Sequence, residues 1–134
     1  MANYRIRFSH VCETAIIDKM GRLSVINIFE NINASQLPAI HSQLAVVGSL
    51  YFKGDKKNRP DSCNIGVTIL NPGNKEIFSV SQNLPLSDND SGFVFLIQAL
   101  QFTEKGEHNI EISADGHKIE NIKLNLLMAK QGSK

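Results

Sequence analysis

His10 and Cys12 stand two residues apart, in a stretch whose even positions Ile6, Phe8, His10, Cys12, Thr14 and Ile16 share one face of a strand. An imidazole and a thiolate so placed are half of a zinc set. Cys63 and His108 would complete a tetrahedron if folding made their strands neighbours. No CxxC or HxxxH spacing backs that arrangement. Cysteine is among the most buried residue types, and a single histidine on a strand face is ordinarily a hydrogen-bonded, half-buried residue. The expectation is no metal site and no cofactor.

Three other groupings could do chemistry. Asp88, Asn89 and Asp90, with Asp115, offer hard oxygens for calcium, but a calcium loop supplies more carboxylates at set spacing. They read as solvated turn residues. Lys53, Lys56, Lys57 and Arg59 could meet phosphate or an acidic surface. Only Tyr51 and Phe52 border them, at a strand end, so stacking plus charge on nucleic acid is weakly supported and a charged hairpin tip is the plain reading. Serines, histidines and aspartates are scattered, with no GxSxG elbow, glycine-rich phosphate loop or Cys/His signature. No catalytic residue is assigned.

The elements that would position these groups are all strands. Phe93 to Leu127 holds three apolar runs separated by Glu104-Lys105-Gly106 and Asp115-Gly116, which reads as three successive antiparallel strands with Phe102 and Ile110 as core anchors. Arg5–Asp18 is a long strand whose interrupted alternation predicts a bulge or a bend between sheets. Lys19-Met20-Gly21 turns it into Arg22–Ile32, where apolar parity changes at Val25-Ile26. Asn33–Ser42, with Leu37-Pro38, is a connection. Leu44–Phe52 is apolar on both parities and belongs mid-sheet, with Gly48 a bulge or close-approach point. Cys63–Leu70 alternates cleanly, Asn71-Pro72-Gly73-Asn74 turns, Lys75–Gln82 is a weaker strand, and Asn83–Gly92 is a loop.

About eight strands with no helical period predict an all-β, single-domain antiparallel β-sandwich, immunoglobulin-like or C2-like, over residues 1–129. Residues 130–134 are expected to fray as a tail. His108 follows the Gly106 turn, where many sandwiches place an aromatic that packs across the corner. It is read as structural, hydrogen-bonded back to the turn.

The 134 residues make one domain able to bury a core without disulfides, and the net charge of +1 argues against bulk electrostatic binding to nucleic acid or membrane. The N-terminus lacks the long apolar core of a signal peptide and no apolar run is long enough to span a bilayer. With two cysteines and no disulfide framework, the expected setting is cytoplasmic with reduced thiols.

Cys12-Glu13-Thr14-Ala15, then Gly21-Arg22-Leu23-Ser24-Val25-Ile26-Asn27-Ile28-Phe29, then Leu37-Pro38 resemble a family of small uncharacterised microbial proteins classed as a domain of unknown function. Phe102, Gly106 and Asp115-Gly116 continue the resemblance, which covers most of the chain. It implies a compact β-sandwich and brings no established activity, so no functional residue is carried over. His108 departs from the family, which more often has an aromatic there.

The resulting expectation is a non-enzymatic binding or assembly module that works through protein–protein contacts, by self-association or with another protein, without nucleic acid or membrane. Exposed strand edges can add to a partner's strand. The loops Asn33–Ser42, Lys53–Asp61 and Asn83–Gly92 are the candidate contact elements. The alternatives are a metal- or small-ligand-binding protein using His10, Cys12, Cys63 and His108, and a structural or interfering protein of a mobile element or virus.

Overall fold

A computed structural model describes residues 3–88 and 90–129. Among the described residues there are nine strands: β1 (Tyr4–Ile17), β2 (Leu23–Ile28), β3 (Asn31–Ala34), β4 (Ala39–Phe52), β5 (Ser62–Leu70), β6 (Glu76–Pro85), β7 (Ser91–Phe102), β8 (Gly106–Ala114) and β9 (His117–Met128). They form two packed sheets, one ordered β2-β1-β4-β7 and the other β3-β9-β8-β5-β6. The core between them is built by alternate residues of both: Leu44, Val46 and Leu50 of β4 and Phe93, Phe95 and Ile97 of β7 meet Ile65, Val67 and Ile69 of β5 and Ile110, Ile112, Leu124 and Leu126 of β8 and β9. Phe102 and Ile110 are both fully buried, as the sequence predicts for core anchors.

The turns follow their chemistry. Asp115 and Gly116 both have positive φ (49° and 85°), as a two-residue hairpin turn of the primed type requires. Asn71 closes the turn between β5 and β6, its Oδ1 accepting from the backbone N–H of Gly73 and of Lys75 at 2.9 Å each. Asp18 does the same between β1 and β2, accepting from the N–H of Met20 and of Arg22.

Three expectations are corrected. The run from Phe93 to Leu127 is not a continuous antiparallel triplet. β7 pairs with β4 in one sheet, while β8 and β9 pair in the other, so Glu104-Lys105-Gly106 carries the chain across the sandwich. A turn signal reports that the chain reverses, not whether the next strand lies beside or opposite. The stretch Arg22–Ile32 is two strands, not one. Asn27 takes a left-handed φ of 56°, and the chain then crosses to the second sheet, where β3 runs parallel to β9. The sandwich therefore holds one parallel ladder among antiparallel ones. The connection Asn33–Ser42 is mostly strand, because β4 begins at Ala39 and pairs with β7 from there.

β1 carries the expected irregularity, a register shift between Ile6 and Phe8. It also folds over. Its pairing with β4 ends at Cys12–Ala45, while its pairing with β2 continues to Ile17–Leu23. Cys12 and Ala15, of opposite parity, share one apolar cluster with Ala45 and Val47, against which Leu23, Val25 and Val94 pack. The β1–β2 hairpin thus lies across the outer face of β4 and β7, and Ile17 reaches Gly92, whose added Cβ would sit 3.7 Å from Ile17 Cδ1.

Candidate functional site

Where β1 leaves its sheet, a gap opens. Beyond Ala45 toward the N-terminal end of β4, residues 39–44 keep β7 on one side and have lost β1 on the other. β3, the end strand of the second sheet, is bonded to β9 on one side. Between these two strand edges lies a groove of about 450 Å³. One wall is Asn31, Ile32 and Asn33 of β3, the opposite one His41, Ser42 and Gln43 of β4, and one end is closed by Glu13, Asn27 and Phe29.

Local sequence explains the lining. β3 reads Asn-Ile-Asn-Ala, and its alternation buries Ile32 and Ala34 while Asn31 and Asn33 stay exposed. Asn27 tolerates the left-handed conformation better than most residues, and its Nδ2 donates to Glu13 Oε1 at 2.7 Å. Gln43 Nε2 donates to the Glu13 carbonyl at 3.3 Å, so both amides hold the fold of β1 in place. Phe29 and His41 face each other with ring centroids 5.8 Å apart at 52°. The groove thus offers four side-chain amides, a hydroxyl, one carboxylate and a pair of rings. Amides donate and accept at once, which matches the peptide group's own pattern.

The groups singled out in the sequence do not converge. His10 stacks near Phe8 at 6.1 Å and lines a second depression with Glu120 and Lys123. Cys12 is buried beneath the folded hairpin, its Sγ–H donating to the Thr14 carbonyl at 3.3 Å. Cys63 is buried in the inter-sheet core. Both cysteines are free thiols. Burial pushes both up, Cys63 to about 11 with the charge of Asp115 adding to the effect, so neither is a ready thiolate at neutral pH. Among the described residues, no three His, Cys, Asp or Glu side chains are grouped to hold a metal.

The aspartates have structural partners. Asp88 pairs with Arg59, whose guanidinium holds its carboxyl below the usual range, and Asp90 pairs with Arg7. Asn89 lies outside the described residues. Asp115 accepts from the Asn64 N–H at 2.9 Å and from the Tyr4 hydroxyl at 3.2 Å. The Lys53–Asp61 loop contains a short 3₁₀ turn, Lys56–Asn58, capped by Asp55. His108 has the corner geometry anticipated for it. It is 1% exposed, its Nδ1 is 3.1 Å from the Gly106 carbonyl, and its ring meets Phe102 edge-on at 5.0 Å.

The groove residues Glu13, Asn27, Asn31, Asn33, His41 and Gln43 form no motif. The one signal in the sequence is the crowding of asparagines at 27, 31 and 33 in a stretch otherwise of strand type.

Residues 7–127 match the model of a family of unknown function, DUF6941. No curated protein matches the sequence. Among solved structures, an alkylpurine DNA glycosylase of Pseudomonas fluorescens, bound to DNA containing an abasic site analog, superimposes with a TM-score of 0.55 at 10% identity over 94% of this chain. This chain spans 31% of the glycosylase's length. An immunoglobulin-like protein of Pseudomonas aeruginosa gives a TM-score of 0.47 at 11% identity, covering 93% of this chain and 97% of that one. A β-glucuronidase of Bifidobacterium dentium, complexed with coumarin-3-O-glucuronide, gives 0.44 at 9% identity over 95% of this chain and 18% of its own. At such identities the likeness concerns the fold alone.

Proposed function

The chain belongs to that family of unknown function, and from that premise we propose that it is a non-enzymatic binding module that accepts an extended peptide segment of a partner protein in the β3–β4 groove. The observation that carries this reading is the pair of strand edges facing one groove. A peptide laid between them would gain ladder hydrogen bonds from β4, from β3, or from both. The amides of Asn31, Asn33 and Gln43 suit its backbone, and the Phe29–His41 pair suits one side chain. Two buried free thiols fit a reducing compartment, so a cytoplasmic setting is part of the proposal.

Selection of short random peptides on the purified chain tests it. Selected peptides should shift the backbone amide resonances of residues 31–33 and 40–43. N-methylation at alternate peptide positions should abolish binding, because it removes the ladder donors. Shifts confined to other surfaces, or indifference to N-methylation at every position, would overturn the reading.

A second reading is a small polar ligand in the same groove, whose volume falls in the range of small-molecule sites. Amide shifts in the groove with sugars or other small polar compounds, in the absence of any peptide that binds there, would favour it.

A further inference from the structure

The β3–β4 groove carries an acid and no fixed cation. Among the nine described residues that line it, Glu13 is the only Asp or Glu, and none is Lys or Arg. The Glu13 carboxylate is held in place without being neutralised. Asn27 Nδ2 donates to its Oε1 at 2.7 Å, and an amide brings no countercharge. The ion pairs among the described residues all join other groups. With the groove open, water solvates this carboxylate. A segment seated in the groove would take that water away, and a neutral side chain beside Glu13 would leave the charge covered and unpaired. A cationic side chain there would instead form a charge-assisted hydrogen bond.

The groove also fixes where that side chain falls in the segment. Glu13 joins the β4 wall at Gln43, whose Nε2 donates to the Glu13 carbonyl. The Phe29 ring meets the same wall at His41. Positions two apart on a strand lie about 6.5 Å from each other, which is also the repeat of side chains on one face of a neighbouring strand. The open edge of β4 is the place that β1 gives up, and β1 runs antiparallel to β4 up to Cys12. A segment continuing the line of β1 meets Gln43 first and His41 two residues later. We propose that the groove selects an extended segment with a lysine or arginine two positions before an apolar residue, the cation on Glu13 and the apolar side chain on the Phe29–His41 pair. This specificity rests on strand addition in the groove.

Peptides selected from a random pool and made with blocked ends are the probe, once amide shifts of residues 31–33 and 40–43 place them in the groove. They should be enriched in Lys or Arg two positions before an apolar residue. Replacing the lysine by norleucine, or the arginine by citrulline, should weaken binding to the native chain about three- to tenfold. E13Q keeps an oxygen for Asn27 and loses the charge. It should bind the parent peptide as weakly as the native chain binds the neutral one, and the replacement should then change nothing further. E13K should favour glutamate at that peptide position. Salt should weaken the native pair and leave E13Q nearly indifferent. If either variant fails to fold, the norleucine exchange and the salt dependence on the native chain still decide. Groove-bound peptides without a cation, an exchange that costs as much on E13Q as on the native chain, or enrichment of the reverse order would overturn the proposal and leave strand addition standing. Shifts confined to other surfaces would overturn both.

Discussion

β4 is two different strands laid end to end. From Ala45 to Leu50 it is held by β1 on one side and β7 on the other, and every side chain is buried. Leu44, Val46 and Leu50 fill the space between the sheets, while the smaller Ala45 and Val47 face outward beneath the folded hairpin. From Ala39 to Gln43 the same strand has only β7, and its residues are half-buried or exposed. What separates the halves is one event, the departure of β1 after Cys12. The lesson is that the departing strand does two jobs: it caps the outer face of the stable half and uncovers an edge on the other.

Truncation should break the symmetry between the halves most strongly. Leu50→Ala removes a fully buried side chain from the inter-sheet core and should cost about 2–5 kcal/mol. Ile40→Ala, at a residue 67% exposed, should stay within about 0.5 kcal/mol. Urea unfolding reads both. Equal losses would mean the two halves are not energetically distinct.

Gly48 sharpens the same contrast within the stable half. A Cβ there would lie 2.6 Å from Phe93 Cζ and 2.7 Å from the Phe8 carbonyl oxygen. The register shift of β1 brings that carbonyl in, so Gly48→Ala should cost about 1–3 kcal/mol. Adding Phe93→Leu should relieve the ring contact and not the backbone one, so recovery should be partial. Full recovery would show that β1 can shift.

The third effect is smaller and lies beneath the polar half. Ala39 pairs with Phe102, and Phe102 packs on His108. Burial lowers the pKa of His108. Its Nδ1–H donates to the Gly106 carbonyl, and its Nε2 is buried without a hydrogen-bond partner among the described residues. With the folded value below the unfolded one, near 6.5 for a free histidine, the unfolded chain binds the proton more readily. Stability should therefore fall as pH drops below about 6.5, until both states are protonated. His108→Phe should remove that part of the slope. An unchanged slope would place the titration elsewhere.

The stable half was legible because its signals are local. Leu44–Phe52 is apolar on both parities, which only a strand covered on both faces can sustain, and Gly48 in that run marked the close approach. Cys63, Ile65, Val67 and Ile69 show their burial by alternation, and Asp115-Gly116 shows its turn. The polar half was not legible. Strand periodicity says which side chains share a face, and it does not say which sheet a strand joins. Thus β7 and β8 looked like neighbours, β3 was hidden inside Arg22–Ile32, and the groove residues Asn31, Asn33 and His41 come from segments whose proximity depends on both crossings. His108 lies between these cases, since its place after Gly106 suggested the corner but not the unpartnered Nε2.

Hydrogen exchange asks for the smallest effect and the most direct one. In Ala45–Leu50 amides pointing to either side enter a ladder, so all should be protected to a similar degree. In Ile40–Gln43 the amides that point to β7 should be protected, while those that point into the groove should exchange far faster, giving an alternating pattern within one continuous strand. A peptide bound by strand addition must then slow the fast set and leave the slow set unchanged, because it supplies acceptors only on the groove side. Asn33→Ala should leave unfolding within about 0.5 kcal/mol and reduce that protection by the loss of one peptide contact. Uniform protection along β4 without any peptide would mean that the groove edge is already satisfied. The two halves would then differ in burial but not in pairing, and strand addition would lose its basis.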